Sequence, residues 1–143
     1  MKPAVYQLLA AFVATLGFTL YFGARRRFFF VCALGGLLAW GVYLLTELGF
    51  HSLFLSNFAA AAFAMLYAEI LARYLKCPAT LFVVPAILPL VPGGSLYYTL
   101  DAAVHGDMAA ARQLGAETLI AALAIAAGIS VVMALRELHR KRK

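Results

Sequence analysis

Ser95, Tyr98, Asp101 and His105 follow one another at spacings of three, three and four in an otherwise apolar stretch. On a helix that spacing makes one polar stripe. A carboxylate in or near hydrocarbon costs about 2.5–3.5 kcal/mol on insertion scales, which makes Asp101 the sharpest member. The alternative is that Asp101, His105 and Asp107 already lie among headgroups and are solvated. Just upstream, "PAILPLVPGGSLYYTLD" (85–101) carries three prolines and two adjacent glycines. Pro78, Pro85, Pro89 and Pro92 are spaced by seven, four and three, which puts them on one helical face. Each interior proline removes the bond to the carbonyl four residues back. Pro85, Pro89 and Pro92 are therefore expected to release the carbonyls of Leu81, Pro85 and Leu88, a row of acceptors for an ammonium group or a cation. The Gly93-Gly94 pair offers freedom for positive φ at a tight break. Ser95 then reads as the N-cap of a second half-helix, whose N–H groups and positive dipole end attract a carboxylate. Acceptors beside donors suit a zwitterionic amino acid or a small carboxylate. On the residues alone, substrate binding is expected at Pro89, Pro92, Gly93, Gly94, Ser95, Tyr98 and Asp101.

The elements that must position these groups are membrane helices. Of 143 residues 65% are hydrophobic and 13% charged, with a mean hydropathy of +0.91, whereas soluble domains are about 45–50% apolar and about 25% charged. A hydrocarbon core of about 30 Å needs about 20 helical residues per crossing. Five apolar segments bounded by charge meet that length: 4–23, 28–46, 53–72, 79–104 and 114–135. The expected fold is an all-α integral membrane protein, a single domain (1–143) of five transmembrane helices with the fourth broken at Pro92-Gly94. As one helix the fourth segment would extend about 39 Å, so the break falls near the bilayer midplane. Irregular backbone at that depth is tolerated only when buried in protein or lining a cavity, and transporters build solute sites from such discontinuous helices.

Charge sets the expected orientation. With the first loop inside, Arg25, Arg26, Arg27, Arg73, Lys76, Arg136, Arg140, Lys141, Arg142 and Lys143 face the cytoplasm, leaving only Lys2 and Arg112 outside. Lys and Arg in short loops are retained on the cytoplasmic side, so the N-terminus is expected outside and the C-terminus inside. This asymmetry, with anionic headgroups, accounts for the net charge of +6 and makes a nucleic-acid role for the basic tail unnecessary. The first segment is too long for a signal-peptide core, and its basic cluster follows rather than precedes it. Cys32 and Cys77 lack metal-ligand spacing and read as a packing residue and a loop thiol.

Two stripes of small residues suggest close helix packing. One is Ser56, Ala60, Ala64, Ala68 and Ala72; the other is Thr118, Ala122, Ala126, Ser130 and Ala134. Asn57 is placed to bond across helices, and Glu69 to pair with Arg73 one turn later. No Ser/His/Asp triad, two-carboxylate pair or His-rich metal spacing is present. An enzyme would have only His51, His105 and Asp107 to work with, and no cofactor or metal is expected.

Five short spans, a fourth carrying P-A-I-L-P-L-V-P-G-G-S-L-Y-Y-T and a basic C-terminus resemble the small, YjjB-like membrane component of the threonine/serine exporter (ThrE) family. The family's Pro-x-x-Pro-Gly-x-x-x-Tyr pattern corresponds to Pro89, Pro92, Gly93 and Tyr97, and so adds Tyr97 to the expected substrate-binding residues. Gly94 departs from the apolar residue expected after the single glycine. The resemblance implies a bacterial inner-membrane exporter of threonine, serine or a related small carboxylate, driven by an ion gradient. It also implies a partner, a YjjP-like second component with five further spans and a soluble N-terminal region; no second set of five spans lies in these 143 residues. A structural or assembly subunit without its own solute site, self-assembly into a homo-oligomer, and a membrane-embedded enzyme stay open as alternatives.

Overall fold

The computed structural model describes residues 3–23 and 25–141, the Lys141 side chain excepted. The expectations placed on Lys2, Arg142 and Lys143 lie outside the described residues. These residues are all helical apart from turns: α1 (Ala4–Tyr21), α2 (Phe29–Phe50), α3 (Leu53–Leu75), α4 (Thr80–Ile87), α5 (Gly93–Val104) and α6 (Met108–Lys141), with one-turn 3₁₀ segments at Arg26–Phe28 and Leu88–Leu90. Four helices are long and apolar enough to cross a membrane. The α4–α5 pair, bent by 48°, passes the same test as a unit, which gives four or five spans.

Most elements start or stop with a local physical reason. Ser52 caps α3 by accepting from the Leu55 N–H. His51 and Lys76 end α2 and α3 in the left-handed conformation, and their N–H groups bond back to the carbonyls of Glu47 and Ala72. Asp107 accepts from the Ala110 N–H at 3.0 Å and so starts α6. This helix runs well past both ends of the expected segment 114–135, because the flanking residues are good helix formers with no proline among them.

The core is built from alanine, glycine and hydroxyl residues more than from large side chains. Ser56, Ala60, Ala64 and Ala68 of α3 are fully buried, as the spacing foresees, whereas Ala72, the fifth member of the stripe, is only partly buried. The α6 stripe is a correction. Ala122, Ala126, Ser130 and Ala134 face outward, while Ala121, Ala124, Ile125 and Gly128 pack inward. A Cβ on Gly128 would lie 2.5 Å from the Phe58 carbonyl and 3.0 Å from the Ala62 nitrogen, so the two backbones touch there. Gly128 thus meets α3 near Ala61, and Arg136, eight residues on, meets Glu69, eight residues on from Ala61; α3 and α6 are parallel. Across the bundle Thr15 of α1 fills the space that a side chain on Gly36 of α2 would need. Thr15 and Thr19 return their hydroxyl protons to carbonyls of their own helix, 2.7 Å away in each case.

Two further pairings differ from expectation. Glu69 pairs with Arg136 of α6 rather than with Arg73, since a buried carboxylate on the α3–α6 face is nearer the neighbouring helix than its own exposed flank. The Asn57 side chain donates to the Leu53 carbonyl at 2.8 Å, inside its own helix. Between α2 and α3 the Ser56 hydroxyl donates to the Glu47 carboxylate at 2.6 Å and the Tyr67 hydroxyl to the Val31 carbonyl at 2.7 Å, and the first of these closes the α2–α3 hairpin.

Candidate functional site

The break in the fourth segment lies at Val91-Pro92, just ahead of the glycines. A residue preceding proline is pushed out of the helical region, and Val91 accordingly adopts φ −60°, ψ 125°. Pro92 is the N-cap of α5, so Gly93 and Gly94 are its first two helical residues. Ser95 does not cap. Its hydroxyl donates back to the Pro92 carbonyl at 3.1 Å. Neither glycine has a positive φ, and a Cβ on either would meet nothing within 4 Å. What they leave at the start of α5 is open space beside backbone N–H groups.

The row of free carbonyls is also corrected. Each acceptor released by a proline has found a donor: the Cys32 thiol reaches the Leu81 carbonyl at 3.6 Å, the Leu88 N–H bonds Pro85, and the Val91 N–H bonds Leu88 at 3.2 Å. The last two are tighter i to i−3 bonds, which is why the helix narrows to a 3₁₀ turn at Leu88–Leu90. A buried backbone acceptor is costly to leave alone, and the chain satisfies these locally.

The break opens on a cleft of about 210 Å³ between α2, α3 and α6. Pro89, Pro92 and Ser95 line it, and they meet Trp40 and Tyr43 of α2, Asn57 of α3 and Glu117 of α6. Pockets for drug-sized ligands run about 300–1,000 Å³, so this one suits a smaller molecule. Trp40 and Tyr43 stack with ring centroids 4.8 Å apart. The Trp40 indole N–H is buried with no hydrogen-bond partner among the described residues, and an unpaired buried donor calls for an explanation. Trp40 and Pro89 also line a second cleft, of about 300 Å³, that borders α1 at Ala10, Ala11 and Ala14, and so form the wall shared by the two. Glu117 is half-buried; Gln113, one turn back, donates to it at 3.4 Å, and it forms no ion pair among the described residues.

The remaining expected site residues stand apart from the cleft. Tyr97, Tyr98 and Asp101 are exposed on α5, which buries no residue of its own, and Asp101 lies 3.5 Å from His105 one turn later. Gly93 and Gly94 adjoin the cleft through the chain without lining it. Glu117, Trp40 and Tyr43 were missed by sequence reasoning. The one signal that could have found Glu117 is that it is the sole carboxylate inside the 114–135 segment, a rarity at which function is the default hypothesis.

The comparison with known families settles what kind of molecule carries this cleft. The family model described as "Threonine/Serine exporter, ThrE" matches residues 7–135. The chain belongs to the ThrE family. It is therefore a multi-pass membrane protein of a transporter family. No curated protein and no solved structure matches it.

Proposed function

We propose that this ThrE-family chain is a subunit of a bacterial inner-membrane exporter of threonine, serine or a related small carboxylate, with solute held in the cleft at the broken fourth span. The observation that carries the reading is the meeting, in one small cleft, of a carboxylate, an amide and an interrupted helix. Glu117 and the Asn57 carbonyl oxygen supply acceptors for the solute ammonium group. The first-turn N–H groups of α5 and the indole N–H of Trp40 supply donors for its carboxylate. Asn57 and Ser95 are left to select a side-chain hydroxyl.

The orientation proposed for the chain is N-terminus outside and C-terminus inside, with α4 and α5 together forming the fourth of five spans. The cleft then lies in the outer half of the membrane, since Glu117 and Asn57 sit near the α2–α3 turn. We also assign α5 to contact with the second, YjjP-like component, because its exposed face carries Tyr97, Tyr98, Leu100 and Val104. Export of radiolabelled threonine from cells that express both components tests the site. Glu117→Gln should lower export at least about tenfold with membrane abundance unchanged, the loss of one charge-assisted contact of about 1.5–3 kcal/mol. Export at the normal rate by that variant would move the solute site out of this cleft.

A further inference from the structure

The basic end of the bundle, away from the cleft, has a cation accounting that does not close within the chain. Of its six carboxylates, Glu47, Asp101, Asp107 and Glu117 lie toward the other end. Glu69 pairs with Arg136, and Glu137 with Arg140. No carboxylate among the described residues pairs with Arg25, Arg27 or Lys76. Yet these three cations, from two turns about fifty positions apart in sequence, line one pocket of about 420 Å³ together with Phe22, Cys77 and Leu81. Local structure holds two of them in place. Lys76 closes α3 in the left-handed conformation at φ 50°, and the Arg27 guanidinium sits 4.5 Å from the centre of the Phe28 ring.

This pocket adjoins a second of about 400 Å³, and Phe22 and Leu81 belong to both. The second is an apolar groove between α1 and α4, bordered by Thr19, Pro78, Val84 and Pro85. A polar cavity with three unpaired cations thus opens into a groove of hydrocarbon character beside membrane-spanning helices. We propose that the two together form a binding site for one anionic phospholipid, its phosphate held by Arg25, Arg27 and Lys76 and an acyl chain lying along the α1–α4 groove. Basic pockets between transmembrane helices hold anionic headgroups by this combination of charge and fit. The site is separate from the solute cleft and does not depend on what the protein exports.

The test is native mass spectrometry of the full chain in neutral detergent, titrated with phosphatidylglycerol or with phosphatidylcholine of the same acyl chains. One phosphatidylglycerol should be retained at concentrations at which phosphatidylcholine is not. A cation near an anionic surface contributes about fivefold, so Arg25→Gln/Arg27→Gln/Lys76→Gln should weaken retention about a hundredfold, and Lys76→Gln alone about fivefold should the triple variant unfold. A control with the same loss of charge at cations that do not line the pocket, Arg73→Gln/Arg112→Gln/Arg140→Gln, should bind within about twofold of the parent. Val84→Trp, which fills the groove and leaves the cations in place, should also weaken retention. Equal weakening in both triple variants would reduce the effect to general surface charge and overturn the site. Competition by inorganic phosphate or glycerol phosphate as effective as the lipid itself would overturn the lipid and leave a soluble-anion pocket.

Discussion

Glu69 places a carboxylate inside the α3–α6 contact. Its carboxylate is almost wholly buried, one oxygen meets the half-exposed guanidinium of Arg136 and the other has no hydrogen-bond partner among the described residues. Breaking a buried pair by deleting one member costs about 3–5 kcal/mol, because it strands the other charge; solvent at Arg136 puts this case at the lower end. Arg136→Ala is thus expected to lower the Tm of the purified chain by several degrees, while Glu69→Gln/Arg136→Gln restores most of it. A double variant no more stable than Arg136→Ala would mean that the ion pair itself, and not relief of the stranded carboxylate, holds α3 to α6. The sequence shows Glu69 as an acid near a helix end with Arg73 at the favourable spacing of four. It cannot show that this face of α3 is the one covered by α6, since Arg136 is 67 positions away.

Among the helices, the same distinction between local and distant information decides what was legible. Five apolar segments, the break near Pro92 and the α3 stripe follow from run length, proline chemistry and periodicity, which are local. The α6 stripe did not follow, because Ala122, Ala126, Ser130 and Ala134 recur as regularly as the residues that pack; only the neighbour's position separates Gly128 from them. Gly128→Val is accordingly expected to disrupt the α3–α6 contact, an overpacking cost of about 1–3 kcal/mol or more where the obstacle is backbone. Ala126→Val, on the outward face, should leave the Tm unchanged. Equal losses from both, read by thermal unfolding in detergent, would contradict the packing of α6 on α3.

The break itself is a second element-scale case. Pro89 and Pro92 remove the helical donors, and Val91 is forced extended by the proline after it, so the bend does not depend on the glycines. Gly93→Ala/Gly94→Ala should therefore fold and insert normally, gaining about 1 kcal/mol of helix propensity per site. Two glycines that relieve neither crowding nor strain in the chain itself point to something outside it that approaches the start of α5 closely. Export by the double variant should fall sharply while its Tm rises or holds. Normal export would assign the bend to packing alone and the close approach to nothing functional.

At the scale of the whole molecule, the proposed function makes this chain half of what alternating access needs, which is two related halves moving about a shared site. The proposed orientation rests on the Lys and Arg distribution: Arg25, Arg26, Arg27, Arg73, Lys76, Arg136 and Arg140 all sit at one end of the bundle, and Arg112 sits beyond the other. A reporter fluorescent only in the cytoplasm, fused after Lys143, is therefore expected to be bright, and a periplasm-active fusion at the same point to be inactive. The same asymmetry bears on assembly. If two copies of this chain alone built the transporter around an axis in the membrane plane, their basic ends would point to opposite sides and one copy would violate the charge rule. A parallel pair, or a second component of different sequence, carries no such penalty. The purified chain reconstituted by itself should consequently show no threonine export above empty liposomes, and addition of the proposed second five-span component should give export. Robust export by the lone chain would show that a parallel homo-oligomer suffices, and the exposed face of α5 would then be where its copies meet.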